Sequence, residues 1–148
     1  MLEGSKTGAA YAEQMLADAY ELVLSGWCQG VSAEDELGRA IEPSSAFARK
    51  WSLSGALERI WRRGVGDPDA ALDAFERANL AIAASVKDVP QRWNDALDRT
   101  KDDVLDALQE AVRVIRRGYQ GPASLVEDLL DDLDRYEGVP GFMFEKSA

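Results

Sequence analysis

The segment Arg92–Val114, RWNDALDRTKDDVLDALQEAVRV, constrains the fold more than any other part of the chain. A large aromatic, a run of turn formers, a helix cap and an apolar stripe follow one another within it. Asn94 and Asp95 come directly after Trp93. Short amide and carboxylate side chains of this kind bond nearby backbone in turns and caps. Thr100, with Asp103 three residues on, has the form of a capping box in which Asp replaces Glu. Behind it Val104, Leu108, Ala111, Val112 and Ile115 recur at helical spacing. The segment therefore reads as Trp93 plugging a core, Asn94 and Asp95 holding a loop, and a helix from about Thr100 to Arg117.

The same periodicity marks further helices. Gly8 to Ser25 puts Tyr11, Met15, Ala19 and Leu22 on one face, with Leu16, Tyr20 and Val23 beside it and Gly26 as the stop. Ser44 to Arg63 carries Phe47, Trp51, Leu57, Ile60 and Trp61. Its small residues Ser52, Ser54, Gly55 and Ala56 suit the close approach of another helix. Asp67-Pro68, a cap followed by proline at the first helical position, opens a helix from Pro68 to Ser85. Its expected stripe is Leu72, Phe75, Asn79, Ile82 and Val86, flanked by Ala71, Ala74, Ala78 and Ala83. Pro122 to Glu137 sets Val126, Leu129, Leu130, Leu133 and Tyr136 against an acidic face.

Gly26 to Pro43 has no helical stripe. Cys28 to Ala33 and Gly38 to Glu42 read as two short strands around the polar turn Glu34-Asp35-Glu36. Such a hairpin is marginal alone and must pack on helices, with Trp27 as the side chain to do it. The elements together predict an all-α fold of four to five helices, orthogonal or bundle-like, with a small β-hairpin or loop after the first helix. Residues 1–118 are expected to form a helical core domain. Residues 119–148 are expected to form a C-terminal helical arm and apolar tail, packed on that core or on a partner copy.

Charge and residue content narrow the function classes. Acids outnumber bases 27 to 17, a net charge of −10 that opposes phosphate backbones, so no nucleic-acid partner is expected. The basic pairs Arg62-Arg63 and Arg116-Arg117 each lie near a predicted helix C-terminus, where cations suit the helix dipole. A single cysteine, Cys28, excludes an intrachain disulfide and fits a reducing compartment. The N-terminal MLEGSKTGAA lacks the apolar stretch of a signal peptide, and no apolar run is long enough to span a bilayer. A cytoplasmic protein without a membrane partner is expected. The absence of histidine removes the commonest general base and the commonest metal ligand together. Glu34-Asp35-Glu36 and Asp102, Asp103 and Asp106 lack the spacing of a calcium loop, so no metal or other cofactor is expected. Cys28 has no base to activate it and follows a helix C-terminus, so it reads as a structural thiol.

Two groups of residues are site-like. Trp27, Gln29, Trp51, Trp93, Asn94, Asp95 and Arg99 could form a small pocket of aromatic walls and a few polar groups. They could equally form a buried polar network that fixes loops on the core, and the lack of a catalytic base favours the network. The second group is the arm, where Leu129, Leu130, Leu133, Tyr136, Phe142 and Phe144 need a surface to cover.

The blocks Gly26-Trp27-Cys28-Gln29-Gly30, Arg39 with Pro43, Trp51-Ser52-Leu53-Ser54-Gly55-Ala56-Leu57, and Trp93-Asn94-Asp95 with Arg99-Thr100 and Val104 carry a resemblance. Over about Ala17 to Val114 the chain resembles a family of short, mostly actinobacterial and phage proteins known only as a domain of unknown function. The block from Trp93 to Val104 is the most specific part. Where that family usually has Gly before its Arg-Thr pair, this chain has Asp98. The resemblance implies that the Trp-centred loop is a shared feature, and it implies no activity. Three functions stay open: a non-enzymatic protein-interaction module that self-associates as a homodimer, a small-molecule binder or atypical hydrolase using the Trp-lined pocket, and a decoy that mimics nucleic acid. Burial of Trp93 and its polar neighbours would favour the first, and an open cleft beside them the second. A regular carboxylate array would favour the third.

Overall fold

The computed structural model describes residues 8–64 and 66–118. Its elements, in chain order, are α1 (Gly8–Ser25), β1 (Ala33–Asp35), β2 (Ala48–Trp51), α2 (Leu53–Arg63), α3 (Pro68–Val86), α4 (Pro90–Asn94) and α5 (Lys101–Arg116). Among the described residues the fold is mostly helical, with five helices and a two-stranded antiparallel hairpin after α1. That is the expected architecture, with one exchange among the helices. The short α4 stands where a loop was expected, and the expected helix over 122–137 lies outside the described residues with the rest of the arm.

The helix α1 packs against α2, α3 and α5 at once, and α3 also packs against α5. It contributes Ala12, Met15, Leu16, Ala19 and Val23 to the core, all almost wholly buried. From α5 come Val104, Leu105, Ala107, Leu108, Ala111 and Val114. The Thr100 hydroxyl accepts from the Asp103 N–H at 3.1 Å while the Asp103 carboxylate accepts from the Thr100 N–H at 3.0 Å. The capping box thus satisfies two N–H groups that a helix start leaves without partners. Lys87 is the one non-glycine with positive φ among the described residues, so Asp98 needs no left-handed backbone before Arg99-Thr100.

In α3 the inward face differs from the expected stripe. Ala71, Ala74, Ala78, Ala81 and Ala83 are buried with Phe75 and Ile82, while Leu72 is 43% exposed. Alanine lets helix axes approach closely, and Phe75 and Ile82 supply the bulk on this face while Leu72 is turned outward. Phe75 also stacks on Trp61 of α2, with ring centroids 4.4 Å apart. The Asp67 carboxylate caps the helix at the Asp69 N–H, followed by Pro68 at the start.

The helix expected over 44–63 is instead a strand followed by a shorter helix. Trp51 donates its N–H to the Gly26 carbonyl at 3.0 Å, and its own carbonyl accepts from the Cys28 N–H at 3.2 Å. Its partners are therefore in a distant segment rather than four residues away. Ser52 then caps α2, its hydroxyl accepting from the Gly55 N–H at 3.0 Å. Phe47, read as part of a helix face, is 70% exposed in the loop before β2.

The hairpin also forms with a different partner from the one expected. β1 pairs with β2, matching Ala33 to Trp51 and Glu34 to Lys50, with an irregularity between Glu34 and Asp35. A single bridge between Glu34 and Ala40 is what remains of the expected pairing with Gly38 to Glu42. Asp35 organises that turn. Its carboxylate accepts from the N–H groups of Leu37 and Arg39, each at 2.9 Å, and pairs with the Arg39 guanidinium at 2.9 Å. The Arg39 N–H, foremost among these donors, holds the Asp35 carboxyl below the usual carboxylate range.

Gly55, the third residue of α2, is buried where a Cβ would overlap the Ser32 carbonyl oxygen. That oxygen also accepts from the Ser52 N–H at 3.0 Å, so it cannot easily move. Gly55 in the small patch on α2 therefore admits the backbone of a loop, while α1 packs on the same helix. Gly55→Ala should destabilise the fold by about 3 kcal/mol, the upper range for overpacking. Thermal unfolding should show it as a fall in Tm of roughly 10 °C, and an unchanged Tm would refute the close approach.

Candidate functional site

The short helix α4 begins at Pro90, where a missing N–H costs nothing, and turns Pro90 and Asn94 inward. Asn94 has no exposed surface. Its side-chain oxygen accepts from the Trp27 indole N–H at 2.8 Å and from the Leu53 N–H at 3.0 Å. Its side-chain nitrogen donates to the Cys28 carbonyl at 3.1 Å and to the Asp95 carboxylate at 2.9 Å. A carboxamide has two donors and two acceptor sites, and all four are used. The bond to Leu53 supplies a second cap at the start of α2, beside that from Ser52.

The neighbours repeat the pattern. Gln29 donates to the carbonyls of Asn94 and Ala96, both at 2.9 Å. Asp95 accepts from the Gly30 N–H at 2.9 Å and from the Gln91 amide at 3.0 Å. The Gln91 oxygen in turn accepts from the Ser52 hydroxyl at 2.8 Å. The segment after α1, the start of α2 and α4 are thereby joined through side chains.

Of the seven residues picked out from the sequence, Trp27, Gln29, Asn94 and Asp95 come together in this cluster. Trp51 lies next to it in the chain, but its indole donates elsewhere, to the Pro43 carbonyl at 3.0 Å. Trp93 is not the core plug that its size suggested. It is half-buried at the edge of the core, with the Arg99 guanidinium 3.8 Å from its ring centre and bonded to its carbonyl. In a one-turn helix the inward positions fall four apart, on Pro90 and Asn94, so Trp93 is carried to the side. Sequence reasoning missed Gln91 and Ser52. Ser52 did carry a signal, as a serine directly before a helical run. Gln91 carried none, because only the tertiary contact makes it a partner of Ser52.

Cys28 is buried, with its thiol 3.7 Å from the Val31 carbonyl. Burial, with the negative charges of Glu34 and Asp95, pushes its pKa up to about 12. Such a thiol is a poor nucleophile at neutral pH. Among the described residues no group of three or more His, Cys, Asp or Glu side chains is placed to hold a metal ion. Nor is any described helix long and apolar enough to cross a membrane.

A small helical fold locked by a buried carboxamide is thus the class of object in view. The chain belongs to the family of unknown function DUF6197, whose model matches residues 9–114. The match runs from the start of α1 into α5 and includes every residue of the Asn94 cluster. No curated protein and no solved structure matches the chain.

Asn94→Ala should strand the Trp27 indole, the Leu53 N–H and the Cys28 carbonyl without partners. With each buried orphan costing about 1–3 kcal/mol, the loss should be roughly 4 kcal/mol. Urea unfolding reads it, and a loss below about 1 kcal/mol would mean that water replaces the amide freely. A second expectation concerns pH. The Cys28 thiol ionises near 9.0 when unfolded and only near 12 when folded, so the unfolded chain releases its proton first. Stability from this group is intact below pH 9 and falls as pH rises toward 12. A Cys28→Ala variant should lose less stability than the parent over that window, and parallel curves would show that the thiol is not shielded.

Proposed function

We propose that the protein is a non-enzymatic protein-interaction module that associates with a second copy of itself. The observation that supports this most is the saturation of Asn94, whose four hydrogen-bonding positions are all taken by its own chain. A binding or hydrolytic site needs polar groups with capacity left for a ligand. The cluster that looked most like a pocket spends its polar capacity on holding three segments together.

The adhesive element in this reading is the segment 119–148. It carries Leu129, Leu130, Leu133, Tyr136, Phe142 and Phe144, an apolar content that calls for a partner surface. A twofold dimer is the commonest closed assembly for a soluble chain.

Sedimentation equilibrium on the full chain tests the reading. A dimer is expected, with deletion of residues 121–148 giving a monomer or an aggregating species. A full-length chain that stays monomeric at high concentration sinks the proposal.

A further inference from the structure

An island of positive charge sits on this acidic protein. Residues 43–63 hold five bases (Arg49, Lys50, Arg59, Arg62 and Arg63) against the single acid Glu58, within a chain of net charge −10. The fold gathers three of these arginines around one loop. Arg59 donates to the carbonyls of Pro43 and Ser45, both at 2.9 Å. Arg63 donates to the Ser44 carbonyl at 3.0 Å, and Arg49 to the carbonyls of Ala46 and Ala48, both at 2.9 Å. Among the described residues none of the three pairs with a carboxylate, whereas seven other arginines do. Burial, with the like charges of Arg63 and Arg49, pushes the Arg59 pKa down.

Like charges crowded without counter-charge destabilise a compact state, so the island calls for an acidic partner. Apolar surface lies alongside. Phe47, at the end of the same loop, is 70% exposed. Arg63 also lines an open pocket of 230 Å³ between α1 and the end of α2, whose walls are the apolar Tyr11, Met15 and Ile60 with Gln14 and the carboxylate of Asp18 at its edge.

The chain itself contains a segment of matching chemistry. Residues 119–148 carry seven acids against two bases, together with Phe142, Met143 and Phe144. We propose that this segment of a second copy docks on the arginine face, its carboxylates meeting Arg49, Arg59 and Arg63 and its apolar residues covering Phe47 and the cavity beside Arg63. The inference rests on the self-association reading and names the surface that serves it. Arg116 pairs with Glu13 of α1 at 2.8 Å, so α5 ends on the side of α1 away from the cavity. The twofold assembly of the self-association reading supplies the second copy.

The test is a charge swap on the full chain, read by sedimentation equilibrium, with thermal melts to verify folding. Arg49→Glu with Arg63→Glu should raise the dimer Kd about 100-fold, as should Asp131→Lys with Asp132→Lys. An equimolar mixture of the two double variants should dimerise again, since each reversed face then meets a reversed segment. The parent dimer should also weaken about tenfold between low and high salt. A parent that is monomeric throughout overturns both this docking and the self-association reading. A parent dimer indifferent to the reversals and to salt overturns the docking alone. Variants that fold and stay apart when mixed also overturn it, because the two charges then act on something other than each other.

Discussion

At the meeting point of three segments far apart in sequence stands a carboxamide with no exposure and no spare hydrogen-bonding capacity. Asn94 ties the segment after α1 through Trp27 and Cys28, the first turn of α2 through Leu53, and its own α4 through Asp95. Buried polar groups are costly unless fully paired, and a fully paired network permits only one arrangement of its partners. The positions of β2 and α2 depend on this. Trp51 and Ser52 sit between the Gly26–Cys28 backbone on one side and Gln91 and Asn94 on the other.

Close backbone approach is the second condition. Gly55 allows the Ser32 carbonyl against α2, and the alanine face of α3 lies in the core with Phe75 and Ile82. Small residues add little apolar area each, but they remove the distance between elements, and dispersion contacts fall away quickly once a gap opens. The amide cluster and the small-residue contacts therefore support one another.

Charge is distributed with the same unevenness. Among the described residues seven arginines are each matched by an acid, mostly three or four residues away, with Arg116 reaching across to Glu13. The loop at 43–47 gathers Arg49, Arg59 and Arg63 without such matching and exposes Phe47 among them. An acidic and apolar terminal segment is complementary to that surface in both respects. The one thiol is shielded, and the most site-like amide is committed to structure.

The local signals in the sequence determined the long helices. Gly26 ends α1, Asp67-Pro68 starts α3 and Thr100 with Asp103 starts α5, because caps and prolines act within a turn of their own position. The grouping of Trp27, Gln29, Asn94 and Asp95 was legible as polar residues beside aromatics, and the lack of a catalytic base favoured a network over a pocket, though which atoms would pair was not legible. Tertiary structure alone decided the rest. The run 44–63 has enough apolar spacing for a helix, yet Ala48–Trp51 became a strand because its backbone partners lie at Gly26, Cys28 and Ala33. Leu72 is turned outward while alanines share the buried face of α3 with Phe75 and Ile82, a choice made by the neighbouring helices. Asn94 rather than Trp93 took the buried position because one turn of α4 presents only one inward edge. Strand pairing, helix separation and the burial of a polar group all depend on residues distant in the chain, and no local pattern carries that information.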